Sequence, residues 1–168
     1  KSDWVVSRGF LYFLPSNVSF AEIPGLEREL RTHVNREVVQ RIAAESEKGR
    51  LVMVNTTDLD AGEQRVWDLS AVGRECMEKG DIEKFHQVLL ASSGIPGAFP
   101  ARTIDGGLYV DGGVTANLIY GGRISERDFL PALWKKAYPD LPPLRIRYWV
   151  IFNNWLLGPA RPTQPNWP

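Results

Sequence analysis

Residues 102–110 read RTIDGGLYV, and they place Asp105-Gly106 between two short apolar runs. A two-residue hairpin turn needs backbone at positive φ, which Gly and Asp tolerate, so strands are predicted at 102–104 and 108–110. A second hairpin is predicted upstream. Residues 50–60 (RLVMVNTTDLD) form an apolar, β-branched run, Ala61-Gly62 supplies the turn, and residues 63–69 (EQRVWDL) return. Two hairpins mean that the sheet is not purely parallel, or that hairpins project from it.

Elsewhere the period changes. From Pro24 onward Leu26, Leu30, Val34, Val38 and Ile42 recur every four residues, which predicts one amphipathic helix. Pro24 suits its first turn and Gly49 the position just past its end. Residues 70–80 (SAVGRECMEKG) are ambiguous, with a short helix as the reading. Asp81 is placed to cap a helix through Ile82, Phe85, Val88 and Leu89, ending near Ser92-Ser93-Gly94 with Pro96 beyond. Residues 125–138 look helical, with Phe129, Leu130, Leu133 and Trp134 on one face. Residues 144–152 (LRIRYWVIF) read as a last strand, and residues 1–20 as a short strand or helix end among turn-prone breaks. Helices interleaved with apolar strands predict an α/β layered domain.

Composition narrows the function classes. The chain has 168 residues, enough for one domain with a sizeable core. Twenty basic residues balance twenty acidic ones, so nothing indicates an electrostatic preference for nucleic acid or anionic lipid. The single cysteine, Cys76, rules out an internal disulfide framework and reads as a small buried apolar residue. The longest apolar run, 148–152, is far shorter than the roughly 20 residues that a membrane-spanning helix requires. No CxxC, HExxH, P-loop or GxGxxG is present, so no cofactor and no metal is expected.

His33 and His86 lie on predicted helices, outside any metal-ligand pattern, and read as surface or core-edge residues. Asp58 and Asp60 are explained by turn chemistry better than by cation binding. The triplet Asp-Gly-Gly occurs twice. Asp105 is sufficiently explained by its hairpin turn. Asp111 instead follows Leu108-Tyr109-Val110 at a strand end, where Gly112-Gly113 leaves its carboxylate uncluttered. Strand ends that open into loops are where α/β proteins place catalytic groups.

The segment 89–118, LLASSGIPGAFPARTIDGGLYVDGGVTANL, resembles the C-terminal half of patatin-like phospholipases. Ala91-Ser92-Ser93, Ile95-Pro96-Gly97, Phe99-Pro100 and Tyr109-Val110-Asp111-Gly112-Gly113 match that family in order and spacing. VMVNTTDLDAGEQRVWD is similar to its strand-turn-strand carrying T-D-L-x-x-G. The resemblance covers most of the chain, with its specific motifs between residues 51 and 117. It implies a layered α/β/α fold of which this chain is a C-terminal portion. It also implies a serine lipid acyl hydrolase, a phospholipase A or esterase, that uses a Ser-Asp dyad without histidine on phospholipid or another fatty-acyl ester.

Carried onto this sequence, the resemblance makes Asp111 the catalytic base, with Gly112, Gly113, Ser92, Ser93 and Pro96 shaping the site. Phe99, Leu108 and Tyr109 are candidates to line an acyl pocket, with a core role as the default. The chain departs from the pattern in two places. Asn117 is followed by Leu118-Ile119, without the usual proline, and no G-x-S-x-G nucleophile motif occurs. The opening KSDWVV and the closing GPARPTQPNWP look like cuts. Residues 1–158 are therefore expected to be a partial patatin-like domain and residues 159–168 a proline-rich tail or linker. The missing N-terminal part of the domain is expected to bear the serine, and the isolated chain to be inactive. The alternative is a non-catalytic binding or interaction module on a degenerate patatin scaffold. Near Trp149 and Trp155 core packing is the expected role, with peripheral membrane contact as the alternative.

Overall fold

In the computed structural model of the chain, which describes residues 4–7, 19, 21–116, 134–136, 138–143, 145, 147 and 149, both predicted hairpins form. Strands β3 (Met53–Asp58) and β4 (Glu63–Asp68) pair antiparallel, as do β5 (Arg102–Ile104) and β6 (Gly107–Asp111). Asp105 and Gly106 turn the second hairpin with φ of 50° and 88°, the positive values that a primed turn demands. β3 also pairs antiparallel with β6, which gives one sheet in the order β4-β3-β6-β5. Among the described residues a second pair, β1 (Val6–Ser7) and β2 (Ala21–Glu22), is antiparallel as well.

The single helix expected from Pro24 to Gly49 is two helices, α1 (Pro24–His33) and α2 (Arg36–Glu45). Val34 leaves helical geometry at φ −97° and ψ 65°, and the Asn35 side chain accepts from Val38 N at 3.1 Å, which caps a new helix. The stripe turns with the break. In α2 the buried residues are Val39 and Ala43, whereas Val38 and Ile42 are half-buried. Ser46–Lys48 adds a short 3-10 turn, and Gly49 follows at φ 73°.

The ambiguous segment is helix α3 (Leu69–Lys79), capped by Asp68 Oδ1, which accepts from Ser70 N and Ala71 N, and closed by Gly80 at φ 75°. Helix α4 (Glu83–Ser92) follows, and Asp81 Oδ1 accepts from Glu83 N at 2.9 Å. The fold is mixed α/β. α4 lies against β3, β5 and β6, α3 packs on α4, and α2 packs on α3. Gly73 permits that last contact, since a Cβ there would sit 3.2 Å from the Val39 carbonyl oxygen.

Phe85, Val88 and Ala91 of α4, Val72 and Cys76 of α3, Val39 of α2, and Trp67, Ile104 and Tyr109 of the sheet form one buried cluster. Trp67 and Tyr109 meet edge to face at 5.3 Å, and Trp67 Nε1 donates to Thr56 Oγ1 at 2.8 Å. Burying a side chain such as Phe85 contributes about 1.5–3 kcal/mol, so this cluster is what sets the sheet against its helices.

The chain divides into two compact units, Lys1–Leu130 and Pro131–Pro168. In the second, Trp134–Lys136 is helical, as expected for 125–138, and Trp134 Nε1 donates to Pro142 O at 3.1 Å. Tyr138, the end of that predicted helix, is described outside it, with its N–H donating to Trp134 O at 2.8 Å, and the other residues of the prediction lie outside the described residues. So do Trp155, the proline-rich segment 159–168 and most residues of the strand expected at 144–152; the described ones, Arg145, Arg147 and Trp149, are not in a strand, and Trp149, expected to pack in a core, is 84% exposed.

Candidate active site

β6 delivers Asp111 to its end, where Gly112–Val114 forms a 3-10 turn. In the β3–β6 register Thr56 faces Asp111, Thr57 faces Val110 and Asp58 faces Tyr109. One step on, Leu59 N donates to Leu108 O at 2.9 Å. Hydrogen-bonded pairs alternate along an antiparallel ladder, so they fall at Leu59/Leu108 and Thr57/Val110. Asp111 therefore occupies a non-hydrogen-bonded position, and its main chain takes its partners elsewhere.

Those partners come from two other places. Asp111 N–H donates to the Gly94 carbonyl at 2.9 Å, and the Thr57 hydroxyl donates to the Asp111 carbonyl at 2.9 Å. Thr57 Oγ1 lies 3.0 Å from Thr115 Oγ1; with its own proton on Asp111, Thr57 accepts from Thr115. Asn55 Nδ2 donates to Ala116 O at 2.5 Å and to Gly112 O at 3.3 Å. Gly112 is buried directly on Asn55. A Cβ there would come within 2.5 Å of Asn55 Nδ2 and 2.7 Å of its main-chain carbonyl carbon, so only glycine fits.

The Asp111 side chain is half-buried, and Oδ1 accepts from Gly113 N at 2.6 Å. Among the described residues no cation pairs with it and no donor reaches Oδ2. Asp105 is placed differently: it pairs with Lys84 Nζ at 2.6 Å, and Lys84 also holds Glu75.

The structure brings the ASSGIP bend to Asp111 through main chain. Ser92 is half-buried at the end of α4. Ser93 is exposed, and its Oγ turns back to Leu89 O and Leu90 O of its own helix. Pro96 is exposed. The residue between them that meets Asp111 is Gly94, buried, with its carbonyl on the Asp111 N–H. The bend is held from its other side by a parallel bridge between Ser19 and Gly97 and by Ala21 N donating to Ala98 O. Ile95 and Val114, each 54% exposed, are the large apolar side chains next along the chain to this clamp.

Sequence reasoning missed Gly94, Asn55, Thr57 and Thr115. Gly94 reads as a helix-end residue, and the other three as ordinary strand or loop polar residues. The only signal was the even spacing of Asn55 and Thr57, which puts both on the sheet face away from Thr56 and Trp67.

Tyr109, offered as a pocket-lining residue, packs in the core as its default role required; Phe99 and Leu108 are half-buried. Burial and the nearby Asp58 carboxylate push the Tyr109 phenol up. Asp58 Oδ1 accepts from Asp60 N and Ala61 N, as a turn residue does, whereas Asp60 Oδ2 accepts from Leu108 N and ties that turn to β6. His86 is 3% exposed, with Nε2 on the Val34 carbonyl at 2.7 Å and Nδ1 toward Arg31; His33 is exposed beside Glu29. Among the described residues no group of three or more His, Cys, Asp or Glu is placed to hold a metal ion, and no helix is long and apolar enough to cross a membrane.

Searches of curated proteins and of solved structures returned no match to the chain. The family model described as patatin-like phospholipase matches residues 6–122, a span that takes in both hairpins, every helix from α1 to α4 and the whole Asp111 clamp. The chain belongs to the patatin-like phospholipase family.

Proposed function

We propose that Asp111 is the general base of a Ser-Asp dyad in a hydrolase of phospholipids or other fatty-acyl esters, with the serine on a segment beyond these 168 residues. The observation that carries this reading is the state of the Asp111 carboxylate: half-buried, fixed through Oδ1, open at Oδ2 and free of a cation partner among the described residues. A carboxylate paired with lysine would be a poorer base. One held by a single neutral N–H keeps an oxygen for a serine hydroxyl.

The steps follow. Oδ2 takes the serine proton as the serine oxygen attacks the ester carbonyl. The tetrahedral intermediate collapses to an acyl-enzyme, and the alcohol leaves with the proton from Asp111. Asp111 then takes a proton from water, which attacks the acyl carbonyl; the second tetrahedral intermediate collapses to release the fatty acid as the proton passes from Asp111 back to the serine oxygen. No histidine enters, in keeping with His86, whose ring is spent on Val34 O. The exposed side chains of Ile95 and Val114 offer an apolar surface beside the clamp for an acyl chain. Ser92, Ser93, Pro96 and Gly113 act on the site through the shape of its two loops.

The test is hydrolysis of a chromogenic medium-chain ester by the complete protein. Asp111→Asn is expected to lose about 10²–10⁴-fold in kcat, the usual worth of a positioned base. Asp105→Asn is expected to retain most turnover, because Asn tolerates the φ of 50° at that turn. Equal effects, or none, overturn the assignment and favour a non-catalytic scaffold.

A further inference from the structure

We infer that Thr57 is a positioning residue for Asp111, acting through the Asp111 carbonyl; the inference rests on the dyad reading above. Asp111 sits past the last hydrogen-bonded β3–β6 pair, so no β3 main-chain group fixes its carbonyl. Of its two main-chain handles, the N–H is held by another main-chain atom, Gly94 O, and the carbonyl by a side chain, the Thr57 hydroxyl at 2.9 Å. The carbonyl and the carboxylate share one Cα, and the next peptide carries the N–H of Gly112, which leads to the Gly113 N–H bound to Oδ1. A shift at the carbonyl is therefore passed to both the carboxylate and its anchor.

Thr57 is suited to this task. It is 2% exposed, its β-branched side chain is stiff at χ1 within β3, and its hydroxyl orientation is fixed because Thr115 occupies its acceptor side at 3.0 Å. The arrangement runs Thr115 to Thr57 to Asp111, two hydroxyls ordering one carbonyl at the end of a strand. Thr57 touches no reacting atom; its effect is on where the carboxylate stands. A displacement of the base by about 1 Å is enough to cost on the order of 10²-fold in rate.

The experiment measures kcat and KM of the complete protein on a chromogenic medium-chain ester for wild type, Thr57→Ser, Thr57→Ala, Thr57→Val and Asp111→Asn, with a thermal melt of each. Ser and Ala both lack the γ-methyl and differ by the hydroxyl, so their comparison isolates the bond even if Thr57→Val fails to fold. The expected result is that Thr57→Ser stays within about threefold of wild type while Thr57→Ala loses about tenfold or more in kcat at unchanged KM. Equal kcat for the Ser and Ala variants, with Asp111→Asn inactive, overturns the inference alone. Wild-type turnover by Asp111→Asn overturns the dyad reading and the inference with it. A fall in KM-dependent terms only, with kcat kept, assigns Thr57 to substrate binding and likewise overturns it.

Discussion

At Gly112 an added methyl group would lie 2.5 Å from Asn55 Nδ2 and 2.7 Å from the Asn55 main-chain carbon. Main chain cannot move aside cheaply, so Gly112→Ala is expected to cost about 1–3 kcal/mol by overpacking, read as a lower denaturant midpoint. An unchanged midpoint would show that the loop relaxes freely and that the clamp is soft. His86 gives a second residue-level expectation. Its ring bonds the Val34 carbonyl in the core, so His86→Leu should destabilise by about 1–3 kcal/mol while kcat of the complete protein stays near wild type. A large loss of kcat in the folded variant would instead give His86 a catalytic part. The difference between Asp105 and Asp111 is legible in the sequence, because Asp-Gly inside a hairpin and Asp-Gly-Gly after a strand make different demands on φ. The Thr57 and Asn55 contacts were not, because they join residues 54 and 57 positions apart and no local pattern encodes that.

At the scale of elements, the break between α1 and α2 has a geometric origin. An apolar residue at every fourth position rotates about 40° per step around a straight helix, so four steps carry the stripe about 160° off its starting face. The spacing that suggested one helix is thus a spacing that one straight helix buries poorly. Asn35 caps the second helix instead, and Asn35→Ala is expected to cost about 1 kcal/mol in thermal stability. Charge joins the helices on their outer side. Lys79 and Lys84 draw Glu75 from the ordinary 4.5 to about 2, and Arg31 draws Glu83 to about 2 in the same way. A carboxylate whose folded pKa is depressed contributes stability above its unfolded value and loses it as pH falls through the folded one. Stability should therefore decline between pH 4.5 and about 2. The Glu75 and Glu83 side chains are 34% and 42% exposed, so salt should blunt the effect. Glu83→Gln should flatten part of the decline in a pH series of melts, and an identical decline in that variant would remove Glu83 from the account.

For the whole molecule, the hairpins, the α/β class and the helix before the bend could all be read from local signals, because turn chemistry and caps act over a few residues. The order β4-β3-β6-β5 could not, since the β3–β6 pairing joins two hairpins across two helices. That pairing builds the candidate site, as it brings Thr57 and Asn55 to the strand end that carries Asp111. With no G-x-S-x-G in its 168 residues, the chain alone is expected to fold its hairpins yet show no ester hydrolysis. Asp111 is proposed to activate a serine that becomes acylated. That acylation is read from the pre-steady-state burst of chromophore from a p-nitrophenyl ester mixed with the complete protein. The wild type and Asp105→Asn are expected to release a burst near one equivalent per chain, and Asp111→Asn none on the same timescale. A burst of undiminished rate and size in Asp111→Asn would contradict the account.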